Sequence, residues 1–308
     1  MRFDLKLLLK HKAINGWYLF SLMSIPMSIV IARALVEADL STGTGVSAMI
    51  GYSVRWAVPF IYLAFAASSV QILFPGAMSM WVIRNRKIIG LCFAVAMAWQ
   101  GLFIFILSTF FRDYYFKDVY LLRDELEGSV GYIFLVAMVV TSFRFGRRRM
   151  TSVQWKLVHK SGMYFLWAYP FSVYWWSLSY EEGPSLLDYV FYWAGFSAFA
   201  LRIAAWAKRR YQTSKRKLPS GSSPILLKVT GSVSVVLGIV LAVFSPNWQG
   251  AITEYFTASK WSADLVLWFP FWPFEPYLSL FLIGVGAMLV TEVRSNVGSS
   301  RYSIGMPG

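Results

Sequence analysis

Few residues of this chain combine a reactive side chain with a setting that could use it. His159 lies one turn inside an apolar run, between Lys156 and Lys160. It reads either as an imidazole bonded to a neighbouring carbonyl or as a contact for a haem- or quinone-like group. Arg55 sits near the far end of another apolar run, where it snorkels to the interface or meets an anion or propionate. His11, the only other histidine, stands in a basic segment outside any apolar run and is read as incidental. Cys92 is the single cysteine, which excludes a disulfide framework and a cysteine-rich metal site. The apolar runs hold no paired carboxylates, no phosphate-cradling glycine loop and no zinc-spaced ligands, so hydrolase, nucleotide-driven pump and metalloprotease chemistry lack their residues. No catalytic or metal-ligating set is therefore assigned. Proton-coupled transport lacks buried acids, and Pro26, Pro59 and Pro170 do not fall in matched halves.

The elements that carry these residues follow from composition. Of 308 residues 57% are hydrophobic, 18% aromatic and 14% charged, against roughly 25% charged in a soluble domain. A soluble globule is excluded, and the chain reads as an all-α polytopic membrane bundle. A hydrocarbon core about 30 Å thick takes roughly 20 apolar residues per helix. Runs of that kind lie near 17–35, 51–73, 88–110, 129–143, 157–178, 188–207, 226–245 and 276–291, predicting about eight spans. With the N-terminus on the cytoplasmic side, 23 of the 29 basic residues fall inside and 13 of the 15 acids outside, a net charge of +21 against −7. Retention of Lys and Arg in the cytoplasm then places both termini there. Basic runs such as Arg147–Arg149 and Lys208–Arg210 abut span ends, where topology and anionic headgroups account for them, so no nucleic-acid partner is expected.

Four parts emerge. Residues 1–16 form a basic segment with amphipathic character, 17–210 a six-helix body, 211–224 a polar linker broken by Pro219 and Gly221, and 225–308 a two-helix tail. The tail carries an outer segment, residues 247–275, ending in Leu-Trp-Phe-Pro-Phe-Trp-Pro-Phe-Glu and followed by Pro276. It reads as an aromatic belt at the interface or as a docking patch for a membrane or periplasmic protein.

The stretch from about Gly51 to Arg210 resembles the ferric reductase-like transmembrane domain family, closest to the haem-binding membrane subunit of the periplasmic methionine sulfoxide reductase system. The resemblance is carried by Gly51-Tyr-Ser-Val-Arg55-Trp-Ala, by Arg84-Asn-Arg-Lys-Ile-Ile-Gly90-Leu-Cys-Phe-Ala, by Thr141-Ser-Phe-Arg144 and, most specifically, by Trp155-Lys-Leu-Val-His159-Lys-Ser-Gly-Met-Tyr164. It implies a six-helix body, residence in a bacterial inner membrane, and cofactor contacts at His159, Arg55, Trp155 and Tyr164. Two of the three haem-associated histidines are replaced, by Gln100 and Ser172. Neither an amide nor a hydroxyl is a usual axial ligand of haem iron, so no cofactor is expected at the outer level. The resulting expectation is a scaffold or accessory, partner-binding subunit with a degenerate haem site. The alternatives are a haem b- or quinone-dependent electron-transfer subunit relying on a partner chain, and a transporter or lipid-handling protein.

Overall fold

The structure is a computed structural model that describes residues 5–217, 224–245, 247–248 and 276–293. Its longer helices are α1 (Gly16–Glu37), α2 (Gly43–Leu73), α3 (Ala77–Phe110), α4 (Leu122–Thr141), α5 (Ser152–Tyr180), α6 (Leu186–Lys217), α7 (Ile225–Val243) and α8 (Leu278–Val290). There is no strand among the described residues. A helix covers each apolar run of the sequence, because in hydrocarbon the backbone groups must be satisfied within their own segment.

Five of these helices, α1, α2, α3, α6 and α7, are long and apolar enough to cross a membrane. The other three depart from that standard for visible reasons. Helix α4 opens on Asp124, Glu125 and Glu127, the inner stretch of α5 from Ser161 to Leu178 is uncharged but rich in Tyr, Trp and Ser, and the 13 residues of α8 span only about 20 Å. Ile25, Ile29, Phe105, Ile133, Val136, Val233 and Phe281 point outward and are exposed, the reverse of a soluble surface.

Caps fix several boundaries. Thr42 accepts from the Gly45 N–H at the start of α2, and Thr151 and Gln154 form a reciprocal capping box at the start of α5. Helix α2 packs against α1, α3, α5 and α6, while α4 leans on α5 and α7 pairs with α8. The core follows α2 and α5. Phe65 stacks on Trp167 at 5.2 Å, Trp167 on Phe171 at 4.9 Å and Phe171 on Tyr192 at 5.5 Å. Gly195 brings α6 against this column, its carbonyl accepting from Trp167 Nε1 at 3.0 Å, and a Cβ there would meet the Tyr62 hydroxyl at 2.7 Å.

Helix α3 starts eleven residues before the apolar run near 88–110. The reason is that a helix continues past the headgroups into water without apolar residues, so Arg84, Arg86 and Lys87 belong to α3 and not to a loop. At the N-terminal end the described helix covers only Leu5–Leu8. The residues after it are tied to α3: Asn15 Oδ1 accepts from Arg84 and Asn85, Trp81 Nε1 donates to the Ile14 carbonyl at 2.8 Å, and Gly16, at φ 59°, donates its N–H to Asn85 Oδ1 at 3.1 Å. The expected linker begins later than its composition suggests, because α6 runs on through residues 211–217; Leu218–Ser223, and the aromatic outer segment from 249 to 275, lie outside the described residues.

Candidate functional site

Two places gather the residues singled out by sequence. The first is a cavity of about 440 Å³ bounded by α2, α3, α4 and α5, with Val54, Phe93, Met97, Gln100, Tyr132 and Phe165 in its wall. Gln100 therefore reaches the interior of the bundle. Its side-chain carbonyl accepts from the Tyr132 hydroxyl at 3.0 Å, and that hydroxyl also lies 3.0 Å from the Met97 carbonyl. Asp124, Glu125 and Glu127 line the same cavity at the start of α4, where carboxylates favour the helix N-terminus. Glu125 also accepts from the Tyr115 hydroxyl at 2.5 Å, and burial together with this bond pushes the Tyr115 phenol up to about 12.

Ser172 does not join Gln100. Its hydroxyl bonds the Tyr277 hydroxyl at 2.7 Å, just before α8, and it is not part of the cavity wall. The tail docks on the body around this point: Trp175 Nε1 donates to the Ser245 hydroxyl at 2.7 Å, and Tyr277 packs 6.0 Å from Phe171. The two positions at which the family resemblance requires imidazoles are thus bonded to different helices, Gln100 to α4 and Ser172 to the approach of α8. A haem held between them does not fit these residues, since neither supplies a usual iron ligand and both are engaged elsewhere.

The second place is the basic end of the bundle, where Thr141, Trp155 and His159 meet. His159 Nε2 lies 2.9 Å from the Thr141 hydroxyl, which donates to the Ala137 carbonyl at 2.6 Å. With the hydroxyl proton engaged there, the imidazole is the donor and carries its proton on Nε2. Trp155 Nε1 donates to the Thr141 carbonyl at 3.2 Å, its ring lies 4.3 Å from the imidazole, and Arg147 covers its other surroundings at 5.4 Å. The Trp-x-x-x-His spacing, one helical turn, is what brings ring and imidazole together.

Tyr164 stands five residues further along α5 and accepts from Arg202 Nε at 3.2 Å. Arg55 is not in this group. It is exposed and makes no hydrogen bond or ion pair among the described residues, nine residues and so about 14 Å along α2 from Ala64 at the basic end. His11 is exposed and its Nδ1 accepts from the Ala13 N–H at 3.3 Å, capping the turn Lys12–Ile14.

Tyr132, Tyr277 and Arg202 were not singled out in sequence, nor was Arg86, which lies within electrostatic reach of His159. For Arg202 the signal was present, an arginine inside the apolar run 188–207. Arg86 was hidden by its place in the basic cluster Arg84–Lys87. Comparisons of the chain with protein-family models, with characterised proteins and with solved structures return no match.

Proposed function

We propose that this multi-pass membrane protein is a scaffold or accessory subunit of ferric reductase-like fold, residing in a bacterial inner membrane, whose outer cofactor level has become packing between helices. The proposal includes about eight spans with both termini cytoplasmic, and a protein partner recruited at the outer face through the aromatic segment 247–275. The observation that carries it is the engagement of the two replaced ligand positions, Gln100 with Tyr132 and Ser172 with Tyr277. A position bonded to the tail contributes to the body's shape and gains nothing from an imidazole. His159 supports the same reading, because its Nε2 is bonded to Thr141 within the protein.

The test is absorption spectroscopy of the full chain expressed with ample haem, with pyridine haemochrome quantification. The expected result is no stoichiometric Soret band. Stoichiometric low-spin b-type haem overturns the proposal and puts the electron-transfer subunit in its place. Haem acquired by Gln100→His combined with Ser172→His supports the fold assignment independently of the scaffold role.

A further inference from the structure

Arg86 of α3 and Arg202 of α6 converge on consecutive residues of α2. Arg86 Nε donates to the Ala64 carbonyl at 2.9 Å, and Arg202 Nη1 donates to the Phe65 carbonyl at 3.0 Å. Arg202 also lies 4.4 Å from the Phe65 ring and 4.7 Å from the Tyr164 ring. Every partner in this set is neutral. Carbonyls, a hydroxyl and ring faces orient the guanidinium groups and leave their charge uncompensated. Each guanidinium has five N–H donors. The bonds formed engage one donor of Arg86 and two of Arg202.

Neither arginine has a carboxylate partner among the described residues. The described acid at this end of the bundle, Glu292, is bonded to Arg210 at 2.5 Å. Both side chains are half-buried, and Arg86 lies within electrostatic reach of Arg202 and of His159. Like charges held this close without a counter-charge are costly in a partly desolvated site.

The level of the site is set by its neighbours. Helix α1 begins at Gly16, bonded to Asn85, the residue beside Arg86. Where the chain leaves α4, Phe143 stacks on Trp17 at 6.3 Å and lies 4.6 Å from Lys87 Nζ. Helix α1 begins and α4 ends at the height of Arg86, the level along a helix bundle at which a membrane protein meets headgroup phosphates.

We infer that Arg86 and Arg202, with Tyr164 beside them, bind a phosphate-bearing anion at the basic end of the bundle, supplied by an anionic lipid headgroup or by free phosphate. The forked guanidinium groups match phosphate oxygens, and two convergent arginines between helices at headgroup level are suited to a lipid phosphodiester. The site is separate from the cavity at Gln100.

The experiment measures thermal unfolding of the purified full chain in detergent at fixed ionic strength, titrated with phosphatidylglycerol, phosphatidylcholine, inorganic phosphate or chloride. A saturable rise with phosphatidylglycerol alone identifies the lipid headgroup. An equal rise with inorganic phosphate identifies the free anion. Arg86→Gln and Arg202→Gln are each expected to raise the half-saturating concentration about tenfold, while Arg149→Gln, an exposed arginine of the same end, leaves it unchanged. No anion-specific rise in the wild type overturns the inference, as does an Arg149→Gln effect equal to the other two. Where Arg202→Gln does not fold, Arg86→Gln decides alone. Where neither folds, native mass spectrometry of the wild type decides: phosphatidylglycerol retained in preference to phosphatidylcholine supports the site, and equal retention overturns it.

Discussion

The pairing of His159 with Thr141 sets what this histidine can do. Threonine in a helix commonly returns its hydroxyl proton to the carbonyl four residues earlier, and Thr141 does so to Ala137. The hydroxyl lone pairs then face α5 and take the His159 N–H. The bond joins α4 to α5 at the basic end, beside the bond from Trp155 Nε1 to the Thr141 carbonyl. Losing one such bond costs about 1 kcal/mol. His159→Gln, whose amide retains a donor, is therefore expected to lower the unfolding temperature by a few degrees at most, beside His11→Gln as a control with no measurable loss. Thermal unfolding of both variants, with their cellular function, checks this. Loss of function in a stable, folded His159→Gln protein would return His159 to an electron-transfer role.

At the scale of elements, the tail pair depends on glycines. A Cβ on Gly286 would meet the Gly231 carbonyl oxygen at 2.5 Å, and one on Gly238 would meet the Ser279 carbonyl oxygen at 2.6 Å. Small residues let membrane helices approach until their backbones touch. Gly286→Val forces α7 and α8 apart and is expected to cost about 1–3 kcal/mol, as overpacking does. Because Tyr277 precedes α8, the same change weakens its bond to Ser172. Cysteine cross-linking between α7 and α8, measured beside the thermal stability of the body, reports the separation, and an unchanged cross-linking yield would contradict it. Gly90, with open space around its Cβ position, is the contrasting case. Gly90→Ala is expected to be neutral or to stabilise by up to about 1 kcal/mol, since alanine restricts the unfolded chain.

For the whole molecule the alternation of charge with helix ends is the governing pattern. Asp39, Asp113, Asp118, Glu181 and Glu182 fall in the connections at one end of the bundle, while Arg147–Arg149 fall in a connection at the other end, where Lys208–Arg210 lie on the last turns of α6. Reporter fusions after Arg210 and at Gly308 are accordingly expected to mark the same, cytoplasmic side. A periplasmic signal at either overturns the even number of spans. The basic end also collects the fold's polar anchoring: the Asn15–Asn85–Arg84 bonds, Lys208 on the Ile72 carbonyl at 2.8 Å, and the Arg210–Glu292 pair.

What the amino-acid sequence determined by itself was local in origin. Runs of apolar residues must be helical in hydrocarbon, and Lys and Arg resist translocation, so helices and a basic end were readable from composition alone. The Trp155–His159 ring contact follows from one turn of helix, but it was the structure that showed it. The beginning of α3 was not, since hydropathy marks where lipid stops and a helix stops elsewhere. Side-chain direction across helices was decided only by tertiary structure. Gln100 and Ser172 stand at similar depth in their runs, yet one turns to Tyr132 and the other to Tyr277. Arg86 and Arg202 are 116 positions apart and meet because α3 and α6 both pack on α2, a rotation and pairing of helices that no linear pattern specifies.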